Sequence, residues 1–300
     1  PLLSLSLLVT PAYSSHAAEN TEAVETSVEG QGMLSPSSSS ENSESVFNGS
    51  GAGTSSEPVT DEKLETILKQ VQSQLPAENG TWAVFISDLV NGTEGSLNDQ
   101  KMQAASLIKL YIMGAVYENY DQITGQYGRD SVDSNLYSMI TVSDNDAANT
   151  LTTYLGGGDS AAGMQAVNSF CQAHGYDQTH MGRMLLASNE NDDNYTSVGD
   201  CGHLLQEIYK QDTSGYTHAA DMFNLLKAQT RCNKIPAQLP EGVKTANKTG
   251  ELDNVENDAG IIYDSKNDVV IVFMSQNLSS AGSAQNTIAT LSRTIYDYYN

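Results

Sequence analysis

The chain has 300 residues with 14 Lys and Arg against 37 Asp and Glu, so its formal net charge is -23. Nucleic acid and anionic membrane surfaces repel such a chain, which makes them poor partners for the molecule as a whole. The length suffices for two ordinary domains or for one large globular unit with a tail, and either would bury a substantial core.

The first part of the chain has the composition of an exported protein. Residues 1–18 resemble the apolar part of a secretory signal followed by small residues, and the apolar run is too short to span a bilayer. Residues 19–59 are rich in Ser and Glu and contain no Lys or Arg, which is typical of a disordered segment. We expect a truncated signal-peptide remnant, then a tether to the cell wall or membrane, and a secreted location in the cell envelope.

The folded part is expected over residues 60–300 and begins with an amphipathic helix. In DEKLETILKQVQSQL the apolar residues recur at helical spacing, and the helix is expected to end at Pro76. The segment TWAVFISDLVNGTEGSL then predicts a strand, an Asn-Gly turn and a second strand. Further helices are predicted at about 105–120, 143–155, 160–174, 197–210 and 217–232.

Strand patterns return near the end of the chain. They occupy VKTANKTGEL, AGIIYDS and DVVIVFMS, and a final helix carries Ile288, Leu291 and Ile295. Strand pairs from both chain ends predict one antiparallel sheet packed with helices, and the helices of residues 115–235 predict a second, all-helical lobe. The predicted fold class is α+β, an α/β/α sandwich with a helical lobe.

Three short motifs contain candidate catalytic residues. In AASLIKLYIM, Ser106 and Lys109 are three positions apart, so they share one face of a helix and an amine lies beside a hydroxyl. TVSDNDAANTL supplies Ser143–Asn145 at the start of another helix, and ANKTGEL supplies Lys248–Gly250 on a strand. A Ser-x-x-Lys pair alone is a weak signal, whereas the three motifs in this order are specific.

Together the motifs resemble the active-site signature of class A β-lactamases and penicillin-binding proteins, over roughly residues 60–300. The resemblance implies a β-lactamase/transpeptidase-like fold and a serine hydrolase that opens β-lactam rings through an acyl-enzyme. Ser106 would be the nucleophile and Lys109 its base. Ser143 would pass a proton to the departing nitrogen. The implied substrates are β-lactams or cell-wall peptides.

The resemblance also assigns substrate-binding residues. Asn145 would donate its side-chain amide to the acylamino carbonyl of the substrate, and Lys248 and Thr249 would receive its carboxylate. The backbone N–H groups of the nucleophile and of Glu251 would form the oxyanion hole. Gly250 would leave room for the substrate to lie along the strand edge.

One loop departs from the family pattern. Arg183 stands at the neck of the loop that normally supplies a water-activating glutamate, but the expected glutamate two residues later is Leu185. Glu190 is the only glutamate in this loop, and we retain both of its interpretations, a displaced catalytic base or a solvated residue. We therefore expect slow hydrolysis of the acyl-enzyme. Arg183 has three candidate ion-pair partners: Asp192, Asp193 and Asp200.

Two further departures affect the pocket. No arginine follows Gly250 where many class A enzymes use one for the substrate carboxylate, and ENDAG supplies Asn257 and Asp258 instead. The span between Ser106 and Ser143 is also shorter than class A enzymes usually have. We expect helices of the lobe to be missing or replaced there.

Cysteine and histidine patterns give no reason to expect a metal or an organic cofactor. The three cysteines, Cys171, Cys201 and Cys232, are too dispersed for a metal cluster, although an exported protein could pair two of them. No histidine pair has the spacing of a zinc site.

Three functional hypotheses remain open. The first is a class A β-lactamase-like hydrolase, and the second is a penicillin-binding or D-Ala-D-Ala peptidase-like protein that β-lactams acylate. The third is a non-catalytic module that binds the cell wall. In each case we expect a monomer.

Overall fold

Strands from both halves of the chain form the main sheet. The structure is a computed structural model that describes residues 61–300, so the predicted signal remnant and tether lie outside the described residues. The strands are β1 (Thr81–Asp88), β2 (Thr93–Leu97), β3 (Met102–Gln103), β4 (Tyr195–Thr196), β5 (Lys244–Leu252), β6 (Val255–Tyr263) and β7 (Val269–Gln276). Five of them pair antiparallel in the order β2-β1-β7-β6-β5, and β3 pairs with β4 in a separate small sheet.

Helices occupy most of the remaining described chain. They are α1 (Glu62–Gln74), α2 (Ile108–Glu118), α3 (Tyr120–Tyr127), α4 (Arg129–Thr141), α5 (Asn145–Leu155), α6 (Ser160–Ala173), α7 (Val198–Tyr209), α8 (Ala219–Lys227) and α9 (Ala281–Tyr299). Short 3-10 turns span Ala105–Leu107, Gln211–Thr213 and Ile235–Gln238. The sequence predicted all the α-helices except α3 and α4, which fill the short span between the first two motifs.

Successive side chains of β1 point alternately to the two faces of the sheet, and this explains the layered packing. Trp82, Val84 and Ile86 face α1 and α9, whereas Ala83 and Phe85 face the core that contains α2 and α7. Successive strand residues point to opposite faces, so one strand contributes to both cores. The sheet thus lies between two helical layers, and the predicted α+β sandwich is confirmed.

The two ends of the described chain close the sheet. β1 pairs with β7 over its whole length, from Thr81 opposite Gln276 to Asp88 opposite Val269. Asp61 caps α1 through its side chain, which accepts a hydrogen bond from the backbone of Lys63. β5 is left as an edge strand, and its free edge faces the first catalytic motif.

Two further observations concern the described residues only. Among their helices, none combines the length and apolarity that a membrane crossing requires. Cys171 and Cys201 are buried and Cys232 is exposed, and all three are free thiols.

Candidate active site

The turn Ala105–Leu107 places Ser106 at the start of α2. Ala105 has a φ of +48°, so the chain turns sharply just before the serine. Lys109 follows in the first turn of α2 and is fully buried, and its Nζ lies 3.2 Å from Ser106 Oγ. The spacing of three residues therefore brings the amine to the hydroxyl, as helical geometry requires.

The second motif lies between α4 and α5 and faces Lys109. Ser143 has a φ of +62°, in the left-handed region. Lys109 Nζ donates to the carbonyl oxygen of Ser143 at 2.6 Å and to its Oγ at 3.2 Å. It also donates to Asn145 Oδ1 at 2.8 Å, which leaves the amide nitrogen of Asn145 for a ligand. Asp144 instead caps α5 by accepting from the backbone of Ala147.

The third motif brings a second amine to Ser143. Lys248 is fully buried, and its Nζ donates to Ser143 Oγ at 2.9 Å and to the carbonyl oxygen of Thr249 at 2.7 Å. The hydroxyl of Ser143 thus lies between Lys109 and Lys248. Because both amines donate to its oxygen, its own proton is free to point elsewhere.

Burial lowers the pKa of both lysines. The pKa of Lys109 is lowered to about 8, chiefly by burial; the charge of Asp144 opposes this shift and the charge of Arg231 adds to it. Burial and the neighbouring Lys109 hold the pKa of Lys248 well below its ordinary value. A substantial fraction of Lys109 is therefore neutral near pH 8, which a proton acceptor requires.

Gly250 allows the edge strand β5 to approach the nucleophile. A Cβ at this position would lie 2.9 Å from the carbonyl oxygen of Ala104 and 3.3 Å from the backbone nitrogen of Ser106. The space at Gly250 is thus filled by the turn that carries Ser106. This close approach is a second reason for a glycine here, and the expected room for a substrate stays a prediction.

A small cavity of about 140 Å³ opens beside the nucleophile. Its lining joins the three motifs, and it contains Ser106, Ser143, Asn145, Thr249, Glu251 and Arg231. Five of the predicted site residues are thus brought together, and Lys109 and Lys248 reach them through hydrogen bonds to Ser106 and Ser143. Gly250 contributes through the close backbone approach.

The loop between α6 and α7 is closed by an ion pair at its neck. Of the three candidate partners, Asp193 binds Arg183, with 2.7 Å from Nε to Oδ1. Asp192 pairs instead with His180, and Asp200 accepts from Thr179. The side chains of Arg183 and Asp193 are only 13% and 6% exposed, so water screens this pair little.

Leu185 occupies a fixed position in this loop. Its backbone nitrogen donates to Asn149 Oδ1 at 2.8 Å, and its carbonyl oxygen accepts from Asn149 Nδ2 at 3.0 Å. The side chain is buried, whereas that of the next residue, Leu186, is exposed. Asn149 of α5 therefore holds an apolar residue beside the nucleophile.

A larger cavity of about 340 Å³ lies between Ser106 and this loop. Leu185, Asn189 and Asn194 line it from the loop side. Glu190 is exposed, and among the described residues that line this cavity it does not appear. The loop thus presents apolar groups, amide groups and the guanidinium of Arg183 to this cavity.

Glu251 is the acidic residue in the lining of both cavities. Burial raises the pKa of its carboxyl, but the charges of Lys234 and Arg231 outweigh burial and hold the pKa below its ordinary value. Its oxygens bind those two cations at 3.0 and 2.9 Å. Glu251 is therefore a poor proton acceptor despite its position.

Sequence reasoning missed three residues of the site: Asn149, Arg231 and the side chain of Glu251. Each of them contacts a residue distant in sequence, so no local sequence pattern indicated that it belongs to the site. Asn257 and Asp258, which stand where an arginine was expected, are buried structural groups. Asn257 donates to the carbonyl oxygens of Gln103 and Ala104, and Asp258 accepts from Asn247.

An antiparallel sheet between helical layers, with a Ser-Lys pair facing a second serine and a second lysine, defines a β-lactamase-like class of protein. The model of the family described as "Beta-lactamase enzyme family" matches residues 63–130 and 126–299. The chain belongs to this family. A search of curated proteins gave no match.

Solved structures of the same fold include enzymes and a penicillin-binding protein. A β-lactamase from Sphaerobacter thermophilus DSM 20745 is 22% identical with a TM-score of 0.65, over 77% of this chain and 96% of that chain. PBP-A is 22% identical with a TM-score of 0.68, over 78% and 96%. The ancestral class A β-lactamase GNCA is 19% identical with a TM-score of 0.64, over 79% and 99%. These identities show a shared fold.

Proposed function

We propose that this chain is a serine enzyme that β-lactams acylate at Ser106 and that releases the opened product slowly. The observation that carries the proposal is the buried amine of Lys109, which lies 3.2 Å from Ser106 Oγ and has its pKa lowered to about 8. An adjacent base of this kind activates a hydroxyl that is otherwise a weak nucleophile.

Acylation follows from the hydrogen bonds around Ser143. Neutral Lys109 takes the proton of Ser106, and Oγ bonds to the lactam carbonyl carbon. The backbone N–H groups of Ser106 and Glu251 would stabilise the oxyanion. As the C–N bond breaks, the nitrogen takes the proton of Ser143 Oγ, which the ammonium of Lys109 replaces across 3.2 Å. Each proton thus moves between neighbouring groups.

On the side of Ser106 that faces the loop between α6 and α7, the described residues offer no base that matches Lys109 for deacylation. Hydrolysis of the ester requires a water that a carboxylate or amine activates, and a positioned base contributes about 10²–10⁴ in rate. The buried side chain of Leu185 lies beside the nucleophile, Glu190 is exposed, and Glu251 is held by two cations. These features support a long-lived acyl-enzyme.

Intact-mass spectrometry after mixing with benzylpenicillin tests the proposal. We expect one whole penicillin added per chain, an adduct that persists through the time course, and a burst in which one equivalent of β-lactam is consumed before slow turnover. Ser106→Ala should give no adduct. An adduct mapped to another residue would overturn the assignment of the nucleophile. Rapid turnover without accumulation would overturn the slow release.

A penicillin-binding or D-Ala-D-Ala peptidase-like role is the second candidate. It is favoured by Leu185 and by the shared fold with PBP-A, a leucine-to-glutamate variant of which is described as an acyl-enzyme complex with penicillin G. Release of D-Ala from a synthetic D-Ala-D-Ala peptide by the wild type, and not by Ser106→Ala, would favour this role. Under the first candidate only the β-lactam reacts.

We also propose that the enzyme acts outside the cytoplasm as a monomer, with its first segment serving as a tether to the envelope. The proposal rests on the composition of residues 1–59. Fractionation of expressing cells tests it, because an exported protein should appear in the envelope or the medium.

A further inference from the structure

A groove outside the active site lies between α4 and α8, and we call it the α4–α8 groove. Its volume of about 480 Å³ exceeds that of either cavity beside Ser106 and lies within the range of small-molecule sites, about 300–1,000 Å³. None of the described residues that line it belongs to the three catalytic motifs. Acyl transfer at Ser106 therefore does not account for this groove.

Helical spacing places a stripe of side chains on each wall of the groove. The stripe on α4 includes Asp133, Leu136 and Tyr137, and the stripe on α8 includes Asp221, Asn224 and Leu225. Residues three and four apart share one face of a helix, so each stripe faces the groove as one surface. Each wall thus offers apolar groups together with hydrogen-bonding groups.

The floor of the groove consists of packed aromatic rings. The rings of Tyr117 and His218 stack with their centroids 5.1 Å apart, and those of Tyr117 and Tyr120 stack at 5.5 Å. The hydroxyl of Tyr120 donates to Asp133 Oδ1 at 2.5 Å and accepts from Arg129 Nη1 at 3.2 Å. Stacking and hydrogen bonds hold these side chains in place, so a ligand meets a groove that is already formed.

The charged groups of the groove largely balance one another. Asp133 and Arg129 both hydrogen-bond to the hydroxyl of Tyr120, and Asp221 Oδ2 lies 2.9 Å from Nδ1 of His218. The groove thus carries little net charge on a chain whose formal charge is -23, so it is not built to attract an ion. Its mixture of donors and acceptors suits hydroxyl groups, which both donate and accept.

Tyr137 supplies an open aromatic surface at the groove. It is 55% exposed, whereas Tyr117 and Tyr120 are only 8% and 6% exposed. The face of such a ring can pack against the apolar face of a pyranose ring, whose hydroxyls then point outward to polar neighbours. Asn224 on the other wall is exposed, and its amide can both donate and accept. The groove therefore combines the stacking surface and the polar groups that a sugar requires.

We infer that the α4–α8 groove is a binding site for a neutral oligosaccharide of N-acetylated sugars. One pyranose ring stacks on Tyr137, and its hydroxyls bond to Asp133, Asp221 and Asn224. The acetamido methyl group packs on the apolar side chains of Leu136 and Leu225. The inference adds a second binding site to the molecule and does not depend on the proposed function.

The groove ends close to the active site, but the two share no lining residue among those described. Ala228 lines the groove, and Arg231, three residues later, lines the cavity beside Ser106. Between them, the backbone nitrogen and the hydroxyl of Thr230 both donate to the carbonyl oxygen of Thr141. A bound saccharide therefore leaves the cavity at Ser106 open, and we expect saccharide binding and acylation to be independent.

Isothermal titration of the full chain with the tetramer of N-acetylglucosamine tests the inference. Tyr137→Ala should weaken binding about 10-fold because the stacking surface is lost, whereas Tyr137→Phe keeps the ring and should change the Kd less than about 2-fold. Asn224→Ala should weaken binding about 2–10-fold through the loss of hydrogen bonds. Val90→Ala, at an exposed residue of the β1–β2 turn, is the control and should leave the Kd unchanged.

Two further measurements separate binding from folding and from catalysis. Each variant changes an exposed residue, so urea unfolding should match the wild type. The rate at which benzylpenicillin acylates Tyr137→Ala should also match the wild type. Absence of acylation in the wild type would overturn the proposed function and leave the saccharide site standing.

Three outcomes would overturn the inference. The first is no binding of the tetramer by the wild type, and the second is an equal Kd for wild type and Tyr137→Ala. The third is equal binding of cellotetraose, which lacks the acetamido groups and should bind more weakly. Binding of a leucine-rich peptide in place of both saccharides would assign the groove to a peptide instead.

Discussion

The two sides of Ser106 differ in chemistry. On the side of α5 and β5, Lys109, Ser143 and Lys248 form a continuous set of hydrogen bonds between 2.6 and 3.2 Å. On the side of the loop between Arg183 and Asn194, the buried loop residues that line the cavity next to Ser106 are Leu185 and Asn194. We call these the acylation side and the loop side.

Under the proposed function, forming the acyl-enzyme and hydrolysing it would depend on separate structural elements. The acylation side needs amines with lowered pKa, which burial among three elements supplies. The loop side needs one base for hydrolysis, but the residue that Asn149 holds there by two hydrogen bonds is the apolar Leu185. A complete acylation side therefore does not imply turnover.

The largest expected effect comes from removing the base on the acylation side. Lys109→Met should reduce the acylation rate by about 10²–10⁴, because no other amine lies in the helix position beside Ser106. Stopped-flow or intact-mass kinetics with benzylpenicillin measure it. Lys69→Met, on the exposed surface of α1, is the control and should leave the rate unchanged. A drop below 10-fold would transfer the role of base to another group.

The next prediction adds a carboxylate to the loop side. Leu185→Glu should accelerate deacylation by about 10²-fold, since it places a carboxylate beside the ester where the wild type has an apolar group. The matched control is Leu186→Glu, whose side chain is 73% exposed, and it should not accelerate release. Decay of the preformed adduct is followed by intact mass. Equal rates in both variants would show that the position of the carboxylate is irrelevant.

A smaller effect is expected from the ion pair that holds the loop side together. Asp193→Asn should lower the free energy of unfolding by about 2 kcal/mol, because the guanidinium of Arg183 loses a charged partner in a little-exposed site. Asp297→Asn breaks the exposed pair with Arg293 and should cost less than about 0.5 kcal/mol. Urea unfolding compares them. Similar losses would mean that the neck pair is not effectively buried.

The last prediction concerns the pH dependence of acylation. The pKa of Lys109 is lowered to about 8, so the neutral, proton-accepting form grows as pH rises through that value. The acylation rate should rise about tenfold per pH unit below it and level off above it. The deacylation rate should not follow this curve, because the loop side has no comparable amine. A flat acylation profile between pH 6 and 9 would contradict the role of Lys109.

Much of this architecture could be predicted from local patterns. Alternation in TWAVFISD and the Asn-Gly turn gave the first two strands, and helical spacing gave α1, α2 and α9. α3 and α4 were missed because they carry few buried apolar residues: Tyr120 and Ile123 in α3, and Val132, Leu136, Met139 and Ile140 in α4. Their burial depends on neighbouring helices that the local sequence does not describe.

The sequence by itself determined that Ser106 and Lys109 meet, because helical geometry fixes a spacing of three residues. Only the tertiary structure decided the partners of these residues. Asn145 reaches Lys109 across 36 positions, and Asn149 holds Leu185 across the same separation. Glu251 meets Arg231 and Lys234 because β5 is an edge strand beside the segment that follows α8. Periodicity carries information over a few residues, whereas packing brings distant side chains into contact and sets their pKa values through burial.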